Sequence, residues 1–246
     1  GMILEPAAPA APNGSPTAAL LHCLPHWTAA VTQPFGSLDG PPQQRASTNR
    51  AGLLVAGASC MLPGPANDLH SHALAMRVGR DALDQVPPSR WDFAAAANDL
   101  DATVASRCRF AGFLVGAESF DASWFFTSPA EAAAMDPQQR LLLERGYESL
   151  HSSRLDRGSL GGSLTGVFLG IAGSDFGQIL GVTPAGSSVY AATGSSLSIA
   201  CGRVSYVLGL HGPCASYDTA CSAALTASHA SLRALQLDEC RDGLAA

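Results

Sequence analysis

Residues 212–225, GPCASYDTACSAAL, place a cysteine at the point where an extended segment gives way to a helix. The Gly-Pro pair at the start of this stretch interrupts the chain, and residues 215–219 are predicted to form a short buried strand. Residues 222–235 are rich in Ala and Leu and contain neither Gly nor Pro, a composition that favours a helix. The pattern therefore predicts a strand, a turn and a helix, with Cys221 at the helix start.

The position predicted for Cys221 would make its thiol reactive. The first amide N–H groups of a helix have no partner inside the helix, and the helix dipole favours a negative charge at this end. A thiol held there ionises more readily than a free one and is a better nucleophile at neutral pH. We therefore predict that Cys221 is the catalytic residue of this chain.

Four stretches, in order and at matching spacing, resemble β-ketoacyl synthases, in particular the ketosynthase domains of modular polyketide synthases. The stretch DTACSAAL, preceded by SIACGRVSYVLGLHGP and followed by ASHASLRALQLDEC, resembles their nucleophile region. The other three are LLVAGASCMLPGPAND, VPPSRWD and AGFLVGAESFDASWFFTSPAEAAAMDPQQRLLLE. The likeness covers about residues 51–246, and four ordered motifs are far more specific than one pattern.

The resemblance implies an α/β fold of the thiolase-like class, in which two similar halves build a layered αβαβα architecture. In that fold the nucleophilic cysteine comes from the first half, while two histidines, a lysine and a glycine-rich loop come from the second. The sequence contains no HGTGT-like or KSNxGH-like stretch. Residues 51–246 are therefore expected to be the N-terminal half of a ketosynthase domain, truncated and inactive by itself.

The resemblance also implies a reaction and partners, in polyketide or fatty-acid synthesis. An acyl group would be transferred to the Cys221 thiol, with the Cys221 backbone N–H as half of an oxyanion hole. Decarboxylative Claisen condensation with a malonyl-type extender would follow. The acyl and malonyl thioesters would arrive on the 4'-phosphopantetheine of an acyl carrier protein, so no cofactor or metal is expected to bind directly. The full domain is expected to be a homodimer.

Composition limits the other function classes. The chain has 246 residues, a net charge of −6 and 47% hydrophobic residues, enough for one sizeable core or two small ones. The acidic balance argues against a nucleic-acid-binding surface, and no apolar run reaches the ~18 residues of a membrane span. The seven cysteines include no C-x-x-C pair, which favours a reducing, intracellular and cytoplasmic location. All of them except Cys221 are expected to be small buried residues.

Residues 1–50 differ from the rest of the chain. They are rich in Pro and Ala, hold few charges and show no sustained hydrophobic period, so we expect a flexible leader or linker. Gly1 ahead of Met2 suggests an expression scar or a partial clone.

From residue 51 onward, predicted strands and helices alternate, which is typical of an α/β layered domain. A short helix is expected after Ser128, which would cap it, with Pro129 at its first position. The longer elements are strands over residues 53–59 and 166–172 and helices over residues 68–83, 136–150 and 197–208.

The remaining polar candidates are assigned structural roles. His229 lies eight residues beyond the cysteine, about 12 Å along the helix and too far for a hydrogen bond, and His211 is placed in a loop. Asp218 is expected to hold nearby amide N–H groups, since a carboxylate beside a thiolate would raise the thiol pKa. By resemblance, Arg203 and residues 136–140 are architectural. Leader or surface positions are expected for four other histidines: His22, His26, His70 and His72.

The chain departs from the family pattern at four places, which leaves the substrate and extender open. Tyr147 and Ala73 (or His72 beside it) stand where Trp is usual, Phe126 where Gly is usual and Cys214 where Ser is usual. Because the nucleophilic cysteine is present, a decarboxylase-only variant is disfavoured. Two alternatives stay open: a non-catalytic dimerisation or docking half-domain, and a cysteine hydrolase, which would need a histidine within reach of the thiol.

Overall fold

The computed structural model describes residues 2–4, 27–32, 53–64, 67–98, 100–173 and 175–246. The strands are β1 (Met2–Leu4), β2 (Trp27–Thr32), β3 (Leu54–Cys60), β4 (Leu83–Gln85), β5 (Phe110–Gly112), β6 (Thr165–Gly170), β7 (Cys214–Tyr217) and β8 (Asp242–Ala245). The helices are α1 (Leu69–Arg77), α2 (Phe93–Ala97), α3 (Ala102–Cys108), α4 (Pro129–Ala134), α5 (Pro137–Ser152), α6 (Arg157–Leu160), α7 (Phe176–Gly181), α8 (Ala191–Gly194), α9 (Leu197–Leu208) and α10 (Ala223–Gln236). Residues Pro184–Ser187 and Ala220–Ser222 form 3-10 turns. These alternating elements confirm the predicted α/β class.

The chain divides into two compact units. One unit joins the described residues up to Ser59 with Phe120–Ala246, and the other is Cys60–Ser119. Cys221 belongs to the first unit, which also contains the larger sheet.

The larger sheet has the strand order β1-β3-β2-β8-β6-β7. β6 pairs in parallel with both β7 and β8, whereas β2 is antiparallel to β8. Two strands of this sheet, residues 2–4 and 27–32, lie inside the segment predicted to be a flexible leader. The leader is therefore not wholly without secondary structure. The rest of residues 1–50 lies outside the described residues, so the boundary at residue 50 stays a prediction.

Helices cover both faces of the sheet around β6. Val167 and Leu169 point to one face, where they pack with buried residues of α5 and α9. Phe168 points to the opposite face and packs with Ala227 and Leu235 of α10. Because successive strand residues alternate between the faces, the apolar run of β6 is buried on both sides. The result is a helix–sheet–helix layering with α10 on one side and α5 and α9 on the other.

Several helices begin or end at residues whose capping role the sequence predicts. Ser128 and Asp136 accept hydrogen bonds from the amide N–H groups of Glu131 and Gln138, and proline occupies the first turn of α4 and α5, as predicted. The helix α9 has its predicted bounds and ends at Gly209, whose φ of 69° suits a residue without a side chain.

Two predicted elements are wrong in extent. The helix expected over residues 68–83 ends at Arg77 and is followed by Gly79 at φ 63°, a left-handed conformation typical of helix ends. Residues from Leu83 onward form β4 instead. The strand expected over residues 215–219 is β7, which is exposed at Cys214 and half-buried beyond it because it lies at the sheet edge.

The second unit contains α1, α2, α3 and a small two-stranded sheet. In this sheet β4 and β5 pair antiparallel, with Leu83 opposite Gly112, although α2 and α3 lie between them in the chain. The Arg90 guanidinium donates to the Leu114 carbonyl at 2.7 Å and lies 3.8 Å from the Glu118 carboxylate. The side chains of α1 and α3 are exposed or half-buried, so neither of these two helices has a fully buried residue.

Candidate active site

Cys221 lies in a strand–turn–helix arrangement, as the sequence predicts. β7 ends at Tyr217, the 3-10 turn covers Ala220–Ser222, and α10 begins at Ala223. The Cys221 side chain is exposed. The thiol therefore stands at the start of a 14-residue helix, where a substrate can reach it.

Hydrogen bonds within the turn hold its shape on both sides of Cys221. Ala220 adopts φ of 52°, a left-handed conformation that costs a residue with a side chain about 1–2 kcal/mol. The Asp218 carboxylate accepts a hydrogen bond from the Ala220 amide N–H at 3.3 Å. The Ser222 hydroxyl donates to the Thr219 carbonyl at 2.8 Å. Asp218 therefore supports the backbone, as predicted.

The backbone amide of Cys221 itself is available to an anion. The Cys221 N–H donates to none of the residues that the structure describes. Ser222 is the N-cap of α10, yet its side chain caps no amide of the first turn, because its hydroxyl donates to Thr219. Unpaired N–H groups at a helix start favour a negative charge. The arrangement permits the predicted oxyanion-hole role of the Cys221 N–H, which stays a prediction.

No histidine in the described part of the chain forms a hydrogen bond with Cys221. His229 is exposed on α10, and the exposed His211 uses its backbone N–H to donate to the Ser163 carbonyl at 2.8 Å. His70 and His72 belong to α1, and His22 and His26 lie outside the described residues. Since a cysteine hydrolase needs a histidine beside its thiol, this geometry does not favour that alternative.

A buried polar network surrounds Arg203, whose side chain is 8% exposed. Its guanidinium donates to Oε1 of Gln139 at 2.7 Å and to the carboxylate of Glu131. The Gln139 amide donates to the carbonyls of Thr193 at 3.1 Å and Ser196 at 3.0 Å. The network thus joins α4, α5 and α9, which supports the architectural role predicted for Arg203 and for the start of α5.

The prediction that the other cysteines are buried is wrong for two of them. Cys60, Cys201 and Cys240 are buried, but Cys108 and Cys214 are exposed, and Cys23 lies outside the described residues. Burial raises the pKa of the Cys240 thiol to about 12 and also raises the pKa of the Cys201 thiol. These two thiols stay protonated near neutral pH, which makes them poor nucleophiles.

The residues that the structure describes form neither a candidate metal site nor a candidate membrane-spanning helix. In this part of the chain, no group of three or more His, Cys, Asp or Glu side chains is placed to hold a metal ion. None of the helices formed by the same residues is both long and apolar enough to cross a membrane.

Two departures from the family pattern have visible consequences. The Tyr147 ring packs edge-on against the rings of Trp124 and Phe125, with centres 5.8 and 6.5 Å apart, so an aromatic side chain still fills this space. Phe126 is 83% exposed and adopts φ of 53°, which explains why glycine is usual at this position. The Arg157 guanidinium lies 4.7 Å from the Phe126 ring centre.

Sequence analysis assigned no role to Gly170 and only a general architectural one to Gln139. Gly170, the last residue of β6, lies against the first turn of α10 with no room for a side chain. A glycine at the end of a buried strand was the one local sign of this close approach. Gln139 is 2% exposed, and nothing in the stretch DPQQR distinguishes it from the half-buried Gln138 and Arg140.

Comparison with known proteins agrees with this geometry. Residues 52–246 match the family model described as the β-ketoacyl synthase N-terminal domain. The spectinabilin polyketide synthase system protein NorC of Streptomyces orinoci is 38% identical over 236 residues, which cover 94% of this chain and 10% of that protein. The pikromycin polyketide synthase component PikAII of Streptomyces venezuelae is 42% identical over 195 residues, or 78% of this chain and 5% of that protein. The chain thus spans a tenth or less of the length of these two relatives.

Solved ketosynthase structures share the fold. The ketosynthase from module 6 of the bacillaene synthase of Bacillus subtilis 168 superposes with a TM-score of 0.63 at 32% identity, over 75% of this chain and 29% of that one. The oxazolomycin ketosynthase domain OzmH KS7 of Streptomyces albus JA3453 gives 0.65 at 34% identity, over 75% and 32%. These matches confirm the thiolase-like fold that the resemblance implied. The chain belongs to the β-ketoacyl synthase family, whose N-terminal domain residues 52–246 match.

Proposed function

We propose that Cys221 is the acyl-accepting nucleophile of a condensing enzyme of polyketide or fatty-acid synthesis. The observation that carries the proposal is an exposed thiol at the start of α10, beside a backbone N–H that donates to none of the described residues. The family match and the polyketide synthase relatives support it.

In the first half of the reaction, the Cys221 thiolate attacks the carbonyl carbon of an acyl thioester. Negative charge moves to the carbonyl oxygen, where the Cys221 N–H stabilises it as one donor of an oxyanion hole. The intermediate then collapses and the bond from the acyl carbon to the carrier sulfur breaks. The acyl group stays on Cys221, and the carrier thiol leaves. We place that thiol on the 4'-phosphopantetheine arm of an acyl carrier protein.

In the second half, a malonyl-type thioester loses carbon dioxide, and the resulting carbanion attacks the acyl carbonyl on Cys221. A carbon–carbon bond forms and the Cys221 thiolate is released. This step needs groups that polarise the malonyl thioester. We assign it to a complete, homodimeric ketosynthase domain, whose N-terminal domain this chain matches. Residues 51–246 alone are expected to accept an acyl group slowly at most.

Acyl loading tests the proposal directly. The synthase that contains this chain is incubated with an acyl N-acetylcysteamine thioester, and peptide mass spectrometry locates the acyl group. We expect it on Cys221 and expect the Cys221→Ala variant to lose it. Cys214→Ser is the matched control, because Cys214 is also exposed and lies seven residues upstream. This control variant should keep the acyl group.

Two outcomes would contradict the proposal. Acylation that persists in the Cys221→Ala variant would exclude Cys221 as the nucleophile. If the folded synthase acquires no acyl group on any cysteine, with folding verified by circular dichroism, the alternative of a non-catalytic dimerisation or docking half-domain would replace it.

A further inference from the structure

Three hydroxyl groups on either side of Cys221 are joined by hydrogen bonds. The Ser222 hydroxyl donates to the Thr219 carbonyl at 2.8 Å and lies 3.1 Å from the Thr219 hydroxyl oxygen. The Thr226 hydroxyl donates to the Ser222 carbonyl at 3.1 Å. The hydroxyl oxygens of Thr219 and Thr226 are 3.2 Å apart. We call these three side chains, Thr219, Ser222 and Thr226, the hydroxyl network.

The directions of the bonds follow from the number of protons. A hydroxyl group has one proton to donate and two lone pairs that accept. The Thr226 proton is directed to the Ser222 carbonyl, so Thr219 is the donor and Thr226 the acceptor in the contact between the two threonines. Each of the three hydroxyl groups therefore has an acceptor inside the network.

The bond between Thr219 and Thr226 spans the nucleophile. It joins the residue before the 3-10 turn to the first turn of α10, seven residues further along the chain. Cys221 and the left-handed Ala220 lie between its two ends. Because a left-handed alanine is unfavourable by itself, it persists only where surrounding contacts hold it. The hydroxyl network supplies such contacts from the helix side of the turn.

We propose that Thr226 is a positioning residue for Cys221, whose hydroxyl holds the turn in the shape that acyl transfer requires. The inference rests on the proposed function, because it concerns the same nucleophile. Without this hydroxyl, the Thr219 hydroxyl loses its acceptor and the Ser222 carbonyl loses a donor. The turn is then free to relax, which moves the Cys221 N–H away from the oxygen that becomes negative during attack.

Ser228 offers a matched comparison on the same helix. Its hydroxyl donates to the Ala224 carbonyl at 2.8 Å, the same bond to the residue four positions earlier that Thr226 makes. Within the part of the chain that the structure describes, the Ser228 side chain forms no hydrogen bond with residues 219–222. A mere change in helix stability should therefore arise at both positions, whereas positioning of the thiol depends on Thr226 alone.

Acyl loading of the synthase that contains this chain tests the inference. Thr226→Val replaces the hydroxyl by a methyl group of similar size. We expect the loading rate constant at saturating acyl N-acetylcysteamine thioester to fall about threefold to tenfold, the contribution of one neutral hydrogen bond, while the half-saturating concentration changes little. Thr226→Ser restores the hydroxyl and should recover the original rate. Ser228→Ala should keep the original rate.

A second measurement needs no thioester. Iodoacetamide alkylates the Cys221 thiol, and peptide mass spectrometry follows the rate at this residue. We expect the same order of rates, with Thr226→Val slower than the original chain, Thr226→Ser and Ser228→Ala. Circular dichroism verifies that each variant is folded. Thr219→Val breaks the same bond from its other end and takes the place of Thr226→Val if that variant does not fold.

Three results would overturn the inference. One is loading and alkylation at the original rates in Thr226→Val. Another is an equal loss in Thr226→Val and Ser228→Ala, since helix stability would then be the cause. The third is a loss in Thr226→Val that Thr226→Ser does not recover. Failure of the proposed function has a different signature: the original chain acquires no acyl group on Cys221, and the alkylation rates alone then decide whether Thr226 positions the thiol.

Discussion

Gly170 and Ala223 approach so closely that a Cβ on Gly170 would lie 2.3 Å from the Ala223 carbonyl carbon. Gly170 ends β6, and Ala223 opens α10 two residues after Cys221. Because the neighbouring atoms are backbone, a side chain on Gly170 could fit only if the helix start moved. The position of the nucleophile relative to the sheet therefore depends on a glycine in a neighbouring strand.

We expect Gly170→Ala to displace the start of α10. Overpacking of this kind costs about 1–3 kcal/mol, and the same shift should slow acyl loading of Cys221. Urea denaturation and the loading assay measure the two effects. Gly202→Ala on α9 is the control, since a Cβ there meets no atom within 4 Å. Equal losses in both variants would show that the close approach is not the cause.

The network around Arg203 should contribute strongly to stability. Arg203→Met removes the donor to the Glu131 carboxylate and to the Gln139 side-chain oxygen Oε1, and we expect a loss of about 3 kcal/mol in the free energy of unfolding. Arg145→Met breaks a more exposed ion pair with Glu148, whose side chain is 54% exposed, and should cost less than about 1 kcal/mol. Comparable urea midpoints for the two variants would contradict the structural role of Arg203.

Arg154 offers a stabilising substitution at the end of α5. It follows the C-cap Ser153 with φ of 69°, a conformation that favours glycine. We expect Arg154→Gly to raise the free energy of unfolding by about 0.5–1 kcal/mol, because the cost of the left-handed conformation disappears. Thermal melting measures the gain. Arg154→Ala keeps a Cβ and should gain nothing, so an equal gain there would point to the lost charge instead.

Stability should fall at alkaline pH through Cys240. Burial raises the pKa of this thiol from 9.0 to about 12, so between these values the folded chain keeps a proton that the unfolded chain releases. The folded state then binds more protons, and the free energy of unfolding decreases as pH rises, by at most about 1.4 kcal/mol per pH unit. Below pH 9 the contribution is fully present.

The Cys240→Ala variant isolates this contribution. Urea denaturation at several pH values should show a smaller slope between pH 9 and about 12 in the variant than in the original chain. An identical slope would assign the alkaline loss to other groups.

Several helix ends could be predicted because the residues that cap them interact only with residues a few positions away in the chain. Ser128 and Asp136 cap helices through amide groups two or three residues away, and Gly209 ends α9 through its own conformation. The strand β4 could not be predicted in this way. It forms by pairing Leu83–Gln85 with Phe110–Gly112, and such pairing depends on a partner distant in sequence.

By itself, the sequence determined that Cys221 follows a strand and heads a helix, since residue composition and turn signals nearby suffice for that. Only the tertiary structure decided that Gly170 must lack a side chain and that Arg203 finds Gln139 and Glu131. The physical reason is distance along the chain: caps and turns act between neighbours, whereas burial, close approach and pairing need segments that meet only after folding.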